Sequence, residues 1–316
     1  MIEVSRYSDS FADDWNALVA GSANGTFLFD RGFMDYHSDR FQDHSLLFHD
    51  DGTLIAVLPA NQSDDALISH GGLTYGGVVH RPRLSGVKML EVFDALTAYA
   101  LSAGVARLLY KPVPTIFHRL QSEQDRYALF RHDAEPVRAD LSTAICLNEQ
   151  VHVSKSKRQG KTRAAKAGVQ VRKSENWPAF WSVLNTVLRT RHDVSAVHSL
   201  DEIQLLASRF PNNISLYVAV APDGALLAGT VVFDCGTTIH TQYMASSDDG
   251  KVVGALDAVI LHLVDLYMPT HHWLDFGIST EAAGRVLNTG LLRQKEMFGG
   301  TSVVYEQYRV DLKENA

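Results

Sequence analysis

The order of turns, strands and helices predicted along this sequence occurs twice, and that recurrence limits the folds open to the chain. In each half, two apolar strands flank an Asp-Gly turn, and a segment with apolar residues at helical spacing precedes a further strand. The first-half segments are residues 44–49, 54–59, 84–103 and 105–110, and the second-half segments are residues 216–220, 226–233, 238–245, 250–266 and 273–276. We predict an internal duplication of one α/β unit, with two unrelated α/β domains as the alternative.

The length and composition agree with two domains of ordinary size. The chain has 316 residues, of which 46% are hydrophobic and 21% are charged, as in soluble globular proteins. We therefore place an N-terminal domain at residues 1–150 and a C-terminal domain at residues 151–316.

The overall charge and the cysteines exclude several classes of protein. A net charge of −7 argues against a general DNA- or RNA-coating protein. Cys146 and Cys235 are far apart and match no metal-ligand spacing, which suits free thiols in a reducing compartment. The N-terminus lacks a signal-peptide pattern, and no apolar run reaches the ~18 residues of a membrane span. These features predict a cytoplasmic protein.

A basic segment joins the two halves. Residues 154–168 have helical spacing, and Lys157, Arg158 and Arg163 are among their many cations. A charge run of this kind is usually a solvated helix face. At a domain junction, however, the same cations are well placed to bind phosphates, and we favour that interpretation.

The segment 273–300 brings an amide, a cation and an acid close together in sequence. A short apolar strand at 273–276 contains Asp275, and a helix at 288–297 carries Asn288 and Lys295 on one face. Ligands in open α/β sheets usually bind at the carboxyl ends of strands. The alternative for each residue alone is structural: a helix cap, a solvated cation or an edge carboxylate.

Other polar positions are weaker candidates. A loop after the helix at 177–191 carries His192 and His198. These histidines are either surface residues or groups that bind substrate or act as a general base, a role for which we favour His198 over His192. Tyr75 lies among glycines and Tyr243 at a similar offset in the second half, so both are candidates for lining a substrate cleft. Residues 116–131 have a helical pattern.

The turn at 246–254 joins a predicted strand to a predicted helix. Backbone N–H groups at such a helix start bind anions, which makes Gly250, Lys251 and Gly254 candidates for holding a diphosphate. Asp248 and Asp249 in the same turn are poorly suited to that role, so an ordinary capped helix start is an equal alternative.

Several motifs are absent from the sequence. There is no metal-ligand spacing, no Walker loop, no GxGxxG after the first strand and no GxSxG nucleophile elbow. Acyl transfer from a thioester or ester to an amine requires only positioning, a base and oxyanion donors, so it fits this inventory without a tightly bound cofactor.

The closing run Gln294-Lys295-Glu296-Met297-Phe298-Gly299-Gly300 resembles the end motif of the FemAB-type acyltransferases. The resemblance extends over residues 157–169, 241–257 and 275–277, and it is closest to FemAB-like proteins associated with bacterial surface-polysaccharide biosynthesis. It implies two tandem GNAT-like (N-acetyltransferase-like) domains with mixed sheets flanked by helices. No extended heptad segment is present, so the coiled-coil arm of some Fem proteins is not expected.

The resemblance also implies roles for particular residues. Lys295 would stabilise the reacting carbonyl, and the basic junction, through Lys157, Arg158 and Arg163, would bind a nucleotide-linked acceptor. Gly250 and Gly254 would lie where GNAT enzymes hold the diphosphate of acyl-CoA. Apart from the resemblance, our own hypothesis is that Asp275 or His198 takes the proton of the amine.

We therefore expect an N-acyltransferase that uses acyl-CoA as a co-substrate and a nucleotide-activated or lipid-linked amino sugar as the acceptor. An aminoacyl-tRNA donor, as in peptidoglycan bridge formation, is the less favoured alternative because the helical arm is missing. A third hypothesis is a non-catalytic GNAT pair that binds a sugar nucleotide or a partner protein.

Overall fold

The computed structural model describes residues 1–192 and 196–312, which form two compact units. Unit 1 contains Met1–Leu141, Thr280–Val286 and the chain from Val304 onward, and unit 2 contains Ser142–Ser279 and Leu287–Val303. The units are discontinuous because the chain re-enters unit 1 after Ser279 and again after Val303. The contiguous domains 1–150 and 151–316 stay a prediction.

Unit 1 contains a four-stranded sheet, part of a second, larger sheet and four α-helices within the described residues. The strands are β1 Ile2–Arg6, β2 Leu46–Asp50, β3 Thr53–Leu58, β4 Asn61–Ser63, β5 Ala66–Ile68, β6 Val79–His80 and β7 Arg107–Tyr110. The helices are α1 Ala12–Gly21, α2 Arg31–Met34, α3 Gly86–Ser102 and α4 Gln124–Arg131. One sheet has the order β1-β2-β3-β6, and β4, β5 and β7 belong to a second. The apolar face of α3, which includes Phe93 and Leu96, packs into the core of this unit.

Unit 2 contains a mixed sheet covered by helices. Its strands are the end of β8 Glu135–Cys146, β9 Gln170–Ser174, β10 Ile214–Val220, β11 Leu226–Asp234, β12 Thr238–Ser246 and β13 Trp273–Ile278. Its helices are α5 Lys155–Lys166, α6 Trp177–His192, α7 Leu200–Arg209, α8 Asp248–Val253, α9 Ala255–Tyr267 and α10 Thr289–Glu296. Three further strands lie near or across the unit boundaries in sequence. The short strands β14 Thr280–Glu281, in unit 1, and β15 Val286–Leu287 pair with each other, and β16 Thr301–Asp311 belongs to unit 1 from Val304 onward.

The sheet of unit 2 has the order β9-β10-β11-β12-β13-β8. All neighbours are antiparallel except β12 and β13, which run parallel because the α8–α9 crossover connects them. Ile239 and Leu274 face the buried side of α9 and join its Val259 and Ile260 in one apolar core. Strand alternation therefore turns His240 and Asp275 toward the opposite face of the sheet.

The basic segment forms a helix, as predicted, and its inner face packs against α9. Lys157 Nζ lies 2.8 Å from Asp257 Oδ1, and Gly160 is buried against the same carboxylate. Gly254 approaches Gly160 so closely that a Cβ on Gly254 would lie 2.7 Å from the Gly160 Cα and carbonyl oxygen. Two glycines therefore permit the close contact between α5 and the α8–α9 corner.

Three predictions from the sequence pattern need correction. The helix predicted at 250–266 is broken into α8 and α9, because Gly254 adopts a left-handed conformation with φ of +79°. The helix predicted at 116–131 is confined to α4, since the chain before it is extended and turned around Pro114 and a 3-10 turn at Thr115–Phe117. Tyr75 lies in a loop after β5, whereas Tyr243 lies in β12, so the two residues are not equivalent in local structure.

The contact at Gly254 gives a prediction about stability. We expect Gly254→Ala to lower the free energy of unfolding by about 3 kcal/mol, because the new methyl group meets the Gly160 backbone and the positive φ is strained. Gly224→Ala is the matched control, since Gly224 also has a positive φ, of +90°, but no atom lies within 4 Å of the position that its methyl group would take. We expect Gly224→Ala to lower the free energy of unfolding by only about 1 kcal/mol, because its positive φ is the only source of strain. Urea unfolding of both variants measures the difference, and equal losses would show that the contact is unimportant.

Candidate active site

The site is built where β12 and β13 separate. The two strands pair over only three positions, Thr238↔Trp273, Ile239↔Leu274 and His240↔Asp275. Beyond Asp275, the pairing of β13 with β8 is irregular as far as Ile278, and Gly277 has φ of +74°. A left-handed residue redirects the strand at little cost only when it is glycine. The sequence at Gly277 therefore opens a gap between two strands of the sheet.

Asp275 is fully buried at the base of this gap and is held by two side chains. Ser142 Oγ donates a hydrogen bond of 2.7 Å to Asp275 Oδ1, and His240 Nδ1 lies 2.6 Å from Oδ2. A buried carboxylate is costly unless it is paired and hydrogen-bonded, so these contacts explain how it is tolerated. The carboxylate thereby links β8, β12 and β13.

His240 is the functional candidate that the sequence pattern does not reveal. Its ring is 20% exposed, whereas Asp275 is 0% exposed, so the histidine is the member of the pair that can meet another molecule. The contact with Asp275 favours a proton on Nδ1 of the neutral ring, which leaves a lone pair on Nε2. Such a pair can accept a proton and stabilise the resulting imidazolium.

Lys295 is anchored at the carboxyl end of β13. Its Nζ donates hydrogen bonds of 2.8 Å and 2.7 Å to the carbonyl oxygens of Gly277 and Ile278, and the residue is 4% exposed. Burial lowers the pKa of Lys295 to about 8, and the charge of Asp275 partly opposes this effect. The ammonium therefore holds the displaced end of β13 and places a positive charge near Asp275.

A cavity of about 370 Å³ lies at the carboxyl end of β12, and we call it the strand-gap cavity. Its lining begins on this strand at Met244 and includes neither His240 nor Asp275. It combines residues from α5, α6, the end of β12, the α8–α9 corner and α10. Four residues predicted from the sequence, Lys157, Gly250, Lys251 and Gly254, contribute to its wall. Its apolar wall is formed by Val187, Met244, Leu256 and Leu291. A ligand in the cavity would contact both apolar surface and polar groups, as is usual for small-molecule sites.

The cations of the strand-gap cavity already have acidic partners. Lys157 is paired with Asp257 and also lies 4.4 Å from the centre of the Phe298 ring. Lys251 Nζ lies 2.5 Å from Asp248 Oδ1. Each pair is formally neutral, so the cavity carries little excess positive charge for a diphosphate.

The backbone amides of α8 and of the residue that follows it are also engaged. The Gly250 N–H donates to Ser247 Oγ at 3.0 Å, the Lys251 N–H to the Ser247 carbonyl at 3.0 Å, and the Gly254 N–H to the Lys251 carbonyl at 3.3 Å. The anion-binding role predicted for these three residues therefore requires the amides to exchange internal bonds for bonds to the ligand.

The remaining candidates lie away from the cavity wall. Arg158 and Arg163 are exposed on α5, outside the residues that line the cavity. Asn288 caps α10, with its Oδ1 accepting from the Leu291 N–H at 3.0 Å. Tyr75 is buried in unit 1, where its ring lies 4.7 Å from that of Phe117.

His198 and Tyr243 form a separate pair in unit 2. His198 Nδ1 lies 2.6 Å from the Tyr243 hydroxyl, which also accepts from the His198 N–H at 3.1 Å. Tyr243 packs against Trp181 of α6, with ring centres 5.3 Å apart, and burial raises the pKa of the tyrosine. The loop predicted to carry both histidines includes residues 193–195, which lie outside the described residues.

Two structural features are missing from residues 1–192 and 196–312. No group of three or more His, Cys, Asp or Glu side chains there could hold a metal ion. In the same residues, every helix is too short or too polar to cross a membrane.

Comparison with solved structures identifies the fold. FemX matches with a TM-score of 0.70 and 11% identity over 98% of this chain and 97% of its own. L-PGS from Bacillus licheniformis matches with a TM-score of 0.62 and 13% identity, over 99% and 94% of the two chains. A tandem GNAT protein from the clavulanic acid biosynthesis pathway gives 0.51 and 11%, with 100% of both chains covered. The chain therefore has a FemX-like fold of two tandem GNAT-like domains.

Sequence comparison gives no comparable match. No protein-family model matches this chain, and no curated protein matches its sequence.

The anchoring of Lys295 predicts a pH dependence of stability. Its pKa is about 8 in the folded chain and 10.5 in the unfolded chain, so the unfolded state binds more protons between these values. Stability should therefore rise with pH in that window, by at most about 1.4 kcal/mol per pH unit from this residue. We expect Lys295→Met to reduce the slope.

Urea unfolding of the wild type and of Lys295→Met from pH 8 to pH 10.5 measures this change. Burial also lowers the pKa of Lys111 in unit 1 to about 8, but Lys111 is present in both proteins and cancels in the comparison. Identical slopes would mean that Lys295 has an ordinary pKa in the folded chain.

Proposed function

We propose that this protein is an N-acyltransferase whose reacting groups meet at the gap between β12 and β13. The observation that carries the proposal is the His240–Asp275 pair, 2.6 Å apart, at the base of the gap. Within this proposal, the partly exposed His240 is the base, and the strand-gap cavity of about 370 Å³, which begins at Met244 on the same strand, holds the donor. Tandem GNAT topology agrees with acyl transfer, although fold alone does not define chemistry.

The geometry supports a direct transfer. His240 Nε2 takes a proton from the acceptor amine as the amine attacks the acyl carbonyl carbon. Asp275 keeps the ring oriented and stabilises the imidazolium, so it acts through His240 and not as the base itself. Lys295 places positive charge near the developing oxyanion. The tetrahedral intermediate then collapses, the bond to the leaving thiolate or alkoxide breaks, and the leaving group receives a proton from the His240 imidazolium, which restores the neutral ring.

For the substrates, we propose acyl-CoA as the donor and the amino group of a nucleotide-activated or lipid-linked amino sugar as the acceptor. This choice rests on the resemblance of residues 157–169 and 288–300 to FemAB-like proteins of surface-polysaccharide biosynthesis. Arg158 and Arg163, which are exposed on α5, would then bind the acceptor phosphates.

A second candidate is aminoacyl transfer from a tRNA ester. The internal hydrogen bonds of the Gly250, Lys251 and Gly254 amides favour it, because a donor without a diphosphate at this turn would leave them intact. The chemistry at His240 would be the same, since both donors present an activated carbonyl to an amine.

Two assays separate these candidates. Incubation with acetyl-CoA and a panel of amino sugars, followed by detection of free thiol, tests the first, and we expect thiol release that depends on the amine. Incubation with aminoacyl-tRNA, with and without ribonuclease, tests the second. The absence of transfer from either donor type would leave a non-catalytic binding protein as the better interpretation.

The assignment of His240 predicts a large kinetic effect. We expect His240→Gln to lower kcat by about 10²- to 10⁴-fold. Glutamine fills the same space and can donate a hydrogen bond to Asp275, but its side-chain amide cannot act as a base near neutral pH. His271→Gln is the matched control. His271 is also paired with an aspartate, Asp234, at 3.2 Å, but it belongs to neither the gap nor the cavity. Steady-state kinetics of both variants measures the difference, and equal losses would remove His240 from the reaction.

A further inference from the structure

A second groove in unit 2 is open beside the strand-gap cavity. It has a volume of about 420 Å³ and lies between α6 and the turn that joins β12 to α8, and we call it the α6 groove. Val187, Ser246 and Lys251 line both spaces, so the groove and the cavity adjoin one another. The groove differs from the cavity in being lined mainly by hydroxyl side chains.

On the helix side of the α6 groove, the protons of the two threonine hydroxyls are already donated. Thr186 Oγ1 donates to the Ser182 carbonyl at 2.9 Å, and Thr190 Oγ1 donates to the Thr186 carbonyl at 2.7 Å. A hydroxyl has one proton and two lone pairs. With the proton directed at the helix backbone, each threonine presents only lone pairs to the groove.

The strand side of the groove follows the same pattern. Ser247 Oγ donates to the Leu227 carbonyl at 3.0 Å, and Ser246 Oγ lies 3.2 Å from the Ser247 carbonyl. These protons also point into the protein. Both walls of the groove therefore offer hydrogen-bond acceptors and few donors.

The charges in the groove point to the same kind of ligand. Its charged residues are Asp248 and Lys251, which are paired with each other. The Asp248 side chain is 96% exposed, so its carboxylate can stay beside Lys251 and also contact a cationic ligand, and the pair adds no net positive charge to the groove. A phosphate, which only accepts hydrogen bonds, is poorly matched to such a surface. A protonated amine beside hydroxyl groups, which brings many donors, is well matched.

We propose that the α6 groove binds the amine-bearing, hydroxyl-rich and unphosphorylated part of the acceptor. The identification of the bound molecule as the acceptor rests on the proposed function. The preference for a ligand rich in hydrogen-bond donors rests on the groove itself. Ser182, at one end of the groove, follows Trp181, which contacts Tyr243 on β12. The amine therefore lies on the sheet face toward which His240 points, and any phosphates of the acceptor lie outside the groove.

Binding by the full-length protein tests this inference without requiring turnover. Glucosamine is the probe, because it carries a primary amine and hydroxyl groups, and inorganic phosphate is the opposing probe. In an NMR chemical-shift titration of the ¹⁵N-labelled chain, we expect glucosamine to shift amide signals of α6 and of residues 246–248. Inorganic phosphate should bind these residues at least tenfold more weakly. Tighter binding of phosphate than of glucosamine would overturn the inference.

A pair of threonine variants tests the role of the lone pairs. Thr186→Val keeps the shape of the side chain but removes its oxygen, and we expect glucosamine to bind about five- to tenfold more weakly. Thr162→Val is the control, because Thr162 Oγ1 makes the same type of bond, to the Arg158 carbonyl at 3.0 Å, on α5 outside the groove. Equal affinities in the two variants would contradict the proposal.

The outcomes also separate this inference from the proposed function. Glucosamine binding in the α6 groove without acyl transfer from any donor would leave the groove assignment standing and remove the enzymatic proposal. Transfer to amines that leave the groove signals unchanged would support the enzyme and overturn the groove assignment.

Discussion

The buried carboxylate of Asp275 is the constraint on which the candidate site depends. An unpaired charge at 0% exposure would destabilise the sheet, so the fold must supply partners for it. It does so with Ser142 from β8 and His240 from β12, each within 2.7 Å. The same contacts fix the direction of the histidine ring. The same hydrogen bonds therefore stabilise the buried Asp275 carboxylate and orient the His240 ring as a proton acceptor.

The separation of β12 from β13 also affects both the stability of the sheet and the shape of the candidate site. Gly277 turns the strand away, and Lys295 donates hydrogen bonds to the carbonyl oxygens of Gly277 and Ile278 at this turn. The strand-gap cavity is lined by Lys157, which is paired with Asp257, and by Lys251, which is paired with Asp248. We therefore propose that recognition in unit 2 depends on hydrogen-bond complementarity more than on net charge, and this is the basis for assigning a ligand rich in hydrogen-bond donors to the α6 groove.

Much of unit 2 could be predicted from local patterns. Apolar alternation and Asp-Gly turns indicated β10 and β11, and the helical spacing of the basic segment indicated α5, although not that its inner face packs on α9. These features depend on residues that are close in sequence. The pairing of His240 with Asp275 depends on the register of two strands separated by a helix crossover, and nothing local to either residue specifies it. Asp257, the partner of Lys157, was missed for the same reason: the two residues lie far apart in sequence and meet only when α5 packs against α9.

The ring of His240 offers the most direct test of the site. If Asp275 accepts a hydrogen bond from Nδ1, the neutral ring carries its proton on Nδ1 and leaves Nε2 free to act as the base. Nitrogen-15 NMR of ring-labelled protein, recorded where the ring is neutral, distinguishes the two tautomers. A protonated Nδ1 that is lost in Asp275→Asn would support the site as described. A proton on Nε2 in the wild type would contradict it.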